Sequence, residues 1–260
     1  MRALRILLIV VVILGGLFVI ADRVAVGFAE DKAADKIKTS EGLSNTPDVS
    51  IAGFPFLTQV AGGELDNVKI GIKSYEAATD GTGASAAKIR IDDLSAEMHG
   101  VVFDGDYSSA TADSASGTAS VAYDELLKAS KGEAVPFQVE ILGQPVSATA
   151  KVVSLADGGN GKIKVGVEVS KGGQTLPKPL YVVSSVRVEG GTIKAHADDI
   201  PKSVSIMGLP IPLPEGTIRG VTDFEQKIDD LPAGVELEKV EAAKDGVEIT
   251  VKGSDVKLVG

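Results

Sequence analysis

The chain has 260 residues, a formal net charge of −10 at pH 7, and neither Cys nor Trp. Without Cys it must fold on core burial alone, with no disulfides. The acidic balance disfavours nucleic acid as a partner and repels an anionic membrane surface. Aromatics are sparse, which argues against a ring-stacking sugar cleft, while abundant Val, Ile, Ala, Leu and 30 Gly point to a β-dominated chain.

Arg2 and Arg5 form a short basic start, residues 6–21 run without a charge, and Asp22 and Arg23 close the run. A basic n-region followed by an apolar h-region marks a secretory signal or a signal anchor, and so export from the cytoplasm. A spanning helix wants about 20 apolar residues, so the run is just short unless Ala3 and Leu4 extend it past a snorkelling Arg5. The reading favoured is a retained single-pass anchor with its N-terminus in the cytoplasm. The alternative is secretion after cleavage near Ala29, in the small-x-small site Gly27-Phe28-Ala29. No Cys follows the run, which excludes a lipoprotein anchor. Residues 1–23 are thus read as signal or anchor and 24–260 as one extracytoplasmic domain.

Residues 24–38 read as a helix, with Val24, Phe28, Ala33 and Ile37 on one side and Glu30, Asp31, Lys32, Asp35 and Lys36 on the wet side. Period-2 alternation follows: Val49 and Ile51; Val68, Ile70 and Ile72; Ile89 and Ile91; Val135, Phe137, Val139 and Ile141; Ile163, Val165, Val167 and Val169; Val247, Ile249 and Val251; then Val256 and Leu258. Each set predicts a strand with one buried and one wet face, which favours an antiparallel sheet. Gly-rich turns separate them at Asp80-Gly81, 157–161, 171–173, 190–191 and Asp245-Gly246. A short helix fits residues 123–130. The Ala/Ser/Thr/Asp run at 108–120 reads as an edge strand or a loop. Pro177 and Pro179 bracket a connector, and Pro201, Pro210, Pro212 and Pro214 mark a second irregular region. Each half of the chain carries a strand series and an apolar Pro-bearing loop, a weak duplication without a fixed period.

Catalytic sets are scarce. The chain has two histidines, His99 and His196, no Cys, and no nucleophile elbow. Acidic pairs at Asp92-Asp93, Asp104-Gly105-Asp106, Asp198-Asp199 and Asp229-Asp230 read as solvated turn acids, because the βαβ context of nucleotide-sugar chemistry is missing. No catalytic residue, cofactor or metal is therefore assigned. The unusual feature is apolar side chains in loops, which are normally polar. Phe54, Phe56, Leu57 and Val60 form one group and Ile206, Met207, Leu209, Ile211 and Leu213 another. They either plug the end of a sandwich or line the mouth of an apolar cavity.

These residues resemble a known family. The segment Pro47-Asp48-Val49-Ser50-Ile51-Ala52-Gly53-Phe54-Pro55-Phe56-Leu57-Thr58-Gln59, followed by Gly62-Gly63 and Val68-Lys69-Ile70, is similar to the opening signature of the actinobacterial phospholipid-binding, lipomannan-elongation family. Ile211-Pro212-Leu213-Pro214-Glu215-Gly216 resembles its late Pro-rich loop. Leu231-Pro232-Ala233-Gly234-Val235 with Asp245-Gly246-Val247 resembles its C-terminal hairpin. The resemblance implies a tubular lipid-binding fold of α+β class, β-dominated: a long curved antiparallel sheet wrapped around an N-terminal helix. It implies a non-catalytic envelope protein that binds or shuttles phospholipid or another acyl-chain lipid and supports assembly of lipid-anchored glycans, with envelope glycan-assembly enzymes as candidate partners.

The family carries no catalytic residues to transfer, and its lipid contacts map to no motif. The candidate lipid-binding residues therefore rest on apolarity alone: Phe28, Phe54, Phe56, Leu57, Val60, Ile206, Met207, Leu209, Ile211 and Leu213. Residues 6–21 supply contact with the cytoplasmic membrane. An acyl chain of sixteen carbons buried on such a face gives roughly 13 kcal/mol gross, at about 0.8 kcal/mol per CH₂. The alternatives are an envelope scaffold whose core is self-filled and, behind it, a glycan-modifying hydrolase built on His99, His196 or Asp104.

Overall fold

The computed structural model describes residues 2–78, 88–105, 109–129, 134–141, 144–175, 178–206, 209–227, 231 and 233–259. The apolar run and the amphipathic stretch after it form one helix, α1 (Arg2–Ser40), about 58 Å long at 1.5 Å per residue. From Leu4 to Ile20 its large apolar side chains are exposed all round, and it is long and apolar enough to cross a membrane. Beyond the run one stripe is buried, through Asp22, Val26 and Ala34, with Ala29, Glu30, Ala33 and Ile37 half-buried. This corrects the side expected from the sequence: Ala33 and Ile37 do face the protein, but Val24 and Phe28 are 67% and 64% exposed. The reason is a polar anchor, since Asp22 and Glu30 take part in the docking.

The remaining elements are β1 (Asp48–Ala52), α2 (Phe56–Gly62), β2 (Glu64–Ala78), β3 (Lys88–Phe103), β4 (Ser109–Ala122), α3 (Tyr123–Ala129), β5 (Val135–Ile141), β6 (Gln144–Gly159), β7 (Lys162–Lys171) and β8 (Gln174–Thr175). Then come β9 (Leu180–Glu189), β10 (Thr192–Asp199), β11 (Ser203–Ile206), β12 (Leu209–Pro212), α4 (Glu215–Thr222), β13 (Phe224–Lys227), β14 (Val235–Ala242) and β15 (Gly246–Val259). The fold is the β-dominated α+β class expected, a curled antiparallel half-barrel carrying an N-terminal helix. Its strands divide into a first sheet ordered β1-β2-β3-β4-β15-β14, a second ordered β13-β10-β9-β7-β6-β5 with β8 beside β7, and the small hairpin β11-β12. All pairings are antiparallel. The last two strands return to the first sheet; β14 lies against β9, and its Ala242 N–H reaches the Gly161 carbonyl of the β6–β7 turn at 3.4 Å.

Two sequence expectations change. The Ala/Ser/Thr run is β4, a central strand paired on both sides, by β3 and by β15. Its side chains are short, yet Ala110 and Ala112 are buried, because small residues let neighbouring layers close over the strand. The Pro-rich region is ordered as β11-β12 and α4, with the prolines on edge strands and at the helix start, where a missing N–H costs nothing. The alternating sets named above fall within strands, while β6, β9, β10 and β14 lacked a clean enough alternation to be recognised. The last two sets join in β15, which bends at Asp255, a residue with φ +51°. The turns at Asp80-Gly81 and the position of Pro177 lie outside the described residues.

Three cores result. One sits under α1 and α2 on the first sheet, with Val26, Phe56, Leu65, Met98, Val101 and Val256. A larger one joins the second sheet to β14 and β15, through Phe137, Val139, Val165, Val167, Leu237 and Val247. The third gathers Val182, Ala197 and Ile218 under α4. Tyr123 closes the second: its hydroxyl donates to the Ala243 carbonyl at 2.7 Å, and burial, with Asp157 and Asp245 nearby, pushes its ionisation up to about 12.

The buried carboxylate of α3 links that helix to β3. Glu125 pairs with Lys128 at 2.7 Å and with Arg90 at 3.6 Å, and accepts the Arg90 N–H at 3.4 Å. The Lys128 hydrogen bond, then Arg90, hold its carboxyl below its ordinary 4.5 against the opposing effect of burial. A carboxyl depressed in the folded state stabilises fully above 4.5 and loses that contribution as pH falls through its folded value. In Glu125→Gln, the drop in urea midpoint between neutral pH and pH below 4.5 is therefore smaller than in the parent protein.

Candidate lipid-contact site and the clamp that positions it

The segment Gly53-Phe54-Pro55-Phe56-Leu57-Thr58-Gln59 is held at every position. Gly53 has φ +108°, a conformation open to glycine, and a Cβ there would strike the Gln59 side-chain amide and the Asp66 carboxylate. The Phe54-Pro55 peptide is cis. Pro55 is the N-cap of α2 and has no side chain to cap it, so the cap comes from α1: the Asp22 carboxylate accepts the Leu57 N–H at 2.9 Å and also faces the Phe56 N–H. Asp22 is fully buried and pairs with Arg23 at 2.6 Å. Arg23 in turn donates to the Gly53 carbonyl at 3.3 Å and lies 5.3 Å from the centre of the Phe54 ring.

The far end of α2 is fixed as firmly. Thr58 Oγ1 donates to the Pro55 carbonyl at 2.8 Å, and Gln59 Oε1 accepts the Asp66 N–H at 2.8 Å. Gly63 ends the helix in the left-handed conformation at φ +75°, and its carbonyl accepts the Phe103 N–H at 2.9 Å. On α1, Glu30 Oε1 accepts the Ile51 N–H at 2.7 Å, which satisfies an N–H of edge strand β1.

The clamp sorts the candidate side chains. Phe56 points inward and is 6% exposed in the first core. Phe54 and Phe28 are exposed, and Leu57 and Val60 are about one-third exposed. Lys32 lies 5.5 Å from the centre of the Phe28 ring. In the second half, Ile206, Leu209 and Ile211 belong to the β11-β12 hairpin, with Ile206 opposite Leu209 and Ile211 opposite Val204. Leu213 is buried, and Met207 lies outside the described residues. Pro214 starts α4 as Pro55 starts α2, again without a side-chain cap of its own. Both Pro-bearing segments thus lead into a short helix laid over a sheet, the physical content of the weak duplication.

Sequence reasoning singled out the apolar members of the first segment but missed Asp22 and Arg23 as its partners. Their position after the apolar run reads only as a charged stop; no local pattern shows that the helix dips its carboxylate into a loop thirty-five residues on.

The histidines sit elsewhere. His99 Nε2 is 3.4 Å from Glu97, and His196 Nδ1 is 2.8 Å from Asp223 with Arg219 alongside. Among the described residues neither imidazole is hydrogen-bonded to a hydroxyl, and no cluster of three or more His, Asp or Glu is placed to hold a metal. Asp92 and Asp93 lie in β3 and Asp198 and Asp199 in β10, while Asp106 and Asp229-Asp230 fall outside the described residues. Two surface hollows, of about 240 and 320 Å³, lie near His196 and at the β14–β9 seam; the described residues lining them include none of the candidate lipid contacts.

A curled antiparallel half-barrel on a long apolar helix, with Phe54 held exposed beside the end of the apolar run, is the form of a helix-bearing β protein with exposed apolar surface. The chain belongs to the LmeA-like phospholipid-binding family, whose model matches residues 20–252. No significant match was found among curated proteins or among solved structures.

The clamp predicts two distinct outcomes. Gly53→Ala costs about 1–3 kcal/mol from backbone strain, read as a lower urea midpoint. Asp22→Ala leaves the strands in place but frees the Leu57 and Phe56 amides, so hydrogen exchange at these two positions accelerates by about tenfold or more while β7 and β9 amides keep their protection.

Proposed function

We propose that this chain is a non-catalytic phospholipid-binding protein of the actinobacterial cell envelope, held on the outer side of the cytoplasmic membrane by residues 6–21. In this reading it binds or shuttles phospholipid in support of the assembly of membrane lipids or lipid-anchored glycans, and the enzymes of that assembly are its candidate partners. Membership of a phospholipid-binding family supports it, and the observation that carries it to particular residues is the exposed apolar set of Phe54, Leu57 and Val60 on the segment held by the Asp22 clamp, with Phe28 on α1. Phe56 supports this contact surface from beneath, and the residues of the second Pro-bearing segment, Ile206, Met207, Leu209, Ile211 and Leu213, are assigned to lipid contact on their apolarity alone.

A second reading, a scaffold with a self-filled core, is favoured by one observation. The two hollows among the described residues, of about 240 and 320 Å³, mix charged side chains such as Arg187, Lys194 and Glu241 with apolar ones such as Phe224 and Val240. A lipid pocket usually spans 300–1,000 Å³ with mostly apolar walls.

Native mass spectrometry and lipid extraction of the purified full chain separate the two. The expected result is co-purified phospholipid, and uptake of labelled phospholipid from vesicles that falls several-fold in Phe54→Ser/Leu57→Ser. A chain that carries no lipid and takes none up is the scaffold.

A further inference from the structure

Between Arg5 and Asp22 the apolar run is short for the bilayer it is read as crossing, and Ala3 and Leu4 add to it only at the cytoplasmic end. Sixteen residues of α-helix rise about 24 Å, against a hydrocarbon core of about 30 Å. Such a mismatch is closed by thinning the bilayer or by finding more apolar surface at the ends. At the far end the next residues are Asp22 and Arg23, which by composition stop the span.

The folded protein changes what those two residues present. Asp22 has no exposed surface, because α2 and Arg23 enclose its carboxylate. The Arg23 guanidinium is drawn sideways over the Phe54 ring and onto the Gly53 carbonyl. What faces outward at this height is Phe54, 58% exposed, with Leu57 beside it and Val24 on α1. Val24 stands about 4.5 Å beyond Ala21 along the helix, and Phe28 about 10 Å beyond, with Lys32 over its ring. A headgroup layer is roughly 5–7 Å thick on each side. A bilayer surrounds a spanning helix on all sides, so height along α1 decides contact, and these side chains occupy the heights of the core boundary and the interfacial layer. Aromatic rings with a cation at their face suit that layer, where one end of the pair is apolar and the other wet.

We infer that residues 53–60, with Val24 and Phe28, form a seat that enters the interfacial layer of the same bilayer that α1 crosses. Its partner is the headgroup and upper acyl region of the phospholipids there. The clamp withdraws the Asp22 charge from lipid and substitutes an apolar rim, so the effective span reaches past the charged stop. The acidic domain is thereby fixed against a surface its net charge avoids, and the candidate lipid contacts of this segment open directly onto the leaflet. This inference rests on the anchored reading of residues 6–21.

The natural chain has no Trp, so single-Trp variants report one place each. The full-length Phe54→Trp and Leu57→Trp variants are reconstituted into phosphatidylcholine vesicles with rising fractions of brominated lipid. Tyr181→Trp, on β9 and 51% exposed at the parent residue, is the control. The expected result is blue-shifted emission from both seat positions, with about half the intensity lost at high brominated fraction and quenching that grows with that fraction, as the interfacial depth requires. The control keeps its emission.

Seat variants that sediment with the vesicles yet emit like the control overturn the inference, as does a blue shift without quenching, which marks cover by protein. Quenching that persists once the protein is separated from the vesicles marks one carried lipid and overturns it equally. Phospholipid recovered from an unquenched protein leaves the lipid-binding reading standing and removes only the seat.

Discussion

Much of the first half of the molecule hangs on one buried carboxylate. A charged side chain with no exposed surface persists only where donors surround it, and Asp22 has them in the first turn of α2 and in Arg23. Because the cap comes from α1, the short helix cannot form in place unless the long helix is docked. Because α2 must present its N-terminus to Asp22, the chain before it has to turn sharply, and Gly53 supplies the positive φ that makes room for Gln59 and Asp66. Phe56 then enters the core, and Phe54 and Leu57 are left outside. The conformation of the Gly-Phe-Pro-Phe-Leu-Thr-Gln segment thus turns on one capping interaction.

The second half solves the same problem with other groups. Pro214 opens α4 without a cap from its own side chain, but Ile218 is fully buried and Arg219 donates to the Ala197 carbonyl at 2.9 Å. Asp223 accepts the Ala197 N–H at the helix end. These contacts tie α4 to β10 as Asp22, Gln59 and Gly63 tie α2 to its surroundings. The two halves share an arrangement, a Pro-led helix over a sheet, while their polar locks differ; that is why the duplication is faint in sequence. His196 is part of the second lock through Asp223, which gives it a structural occupation.

The proposed function rests on where these locks leave apolar surface. An acidic chain has little reason to approach a membrane by charge, so lasting contact has to come from apolar groups. Exposed rings are costly in water unless a partner covers them. Here they stand beside the end of an apolar helix, in a chain whose family binds phospholipid.

The sequence by itself determined the apolar helix, the β-dominated class, most of the alternating strands and the unusual apolarity of the Pro-bearing segments. Those are local signals: a charge-free run, a period of two, and Phe where a loop should be polar. Only the tertiary structure decided that the Ala/Ser run is a central strand, because that depends on its pairing with β15, from the far end of the chain, as well as with β3, and on the helices packing over its small side chains. Only it decided that Val26 rather than Val24 faces the protein, since polar docking by Asp22 and Glu30 outweighs the apolar count on the other side. Phe54 and Phe56, two residues apart and equally apolar, were indistinguishable in sequence. One is core and the other surface because Asp22, thirty-five residues before Leu57, sets the direction in which α2 begins.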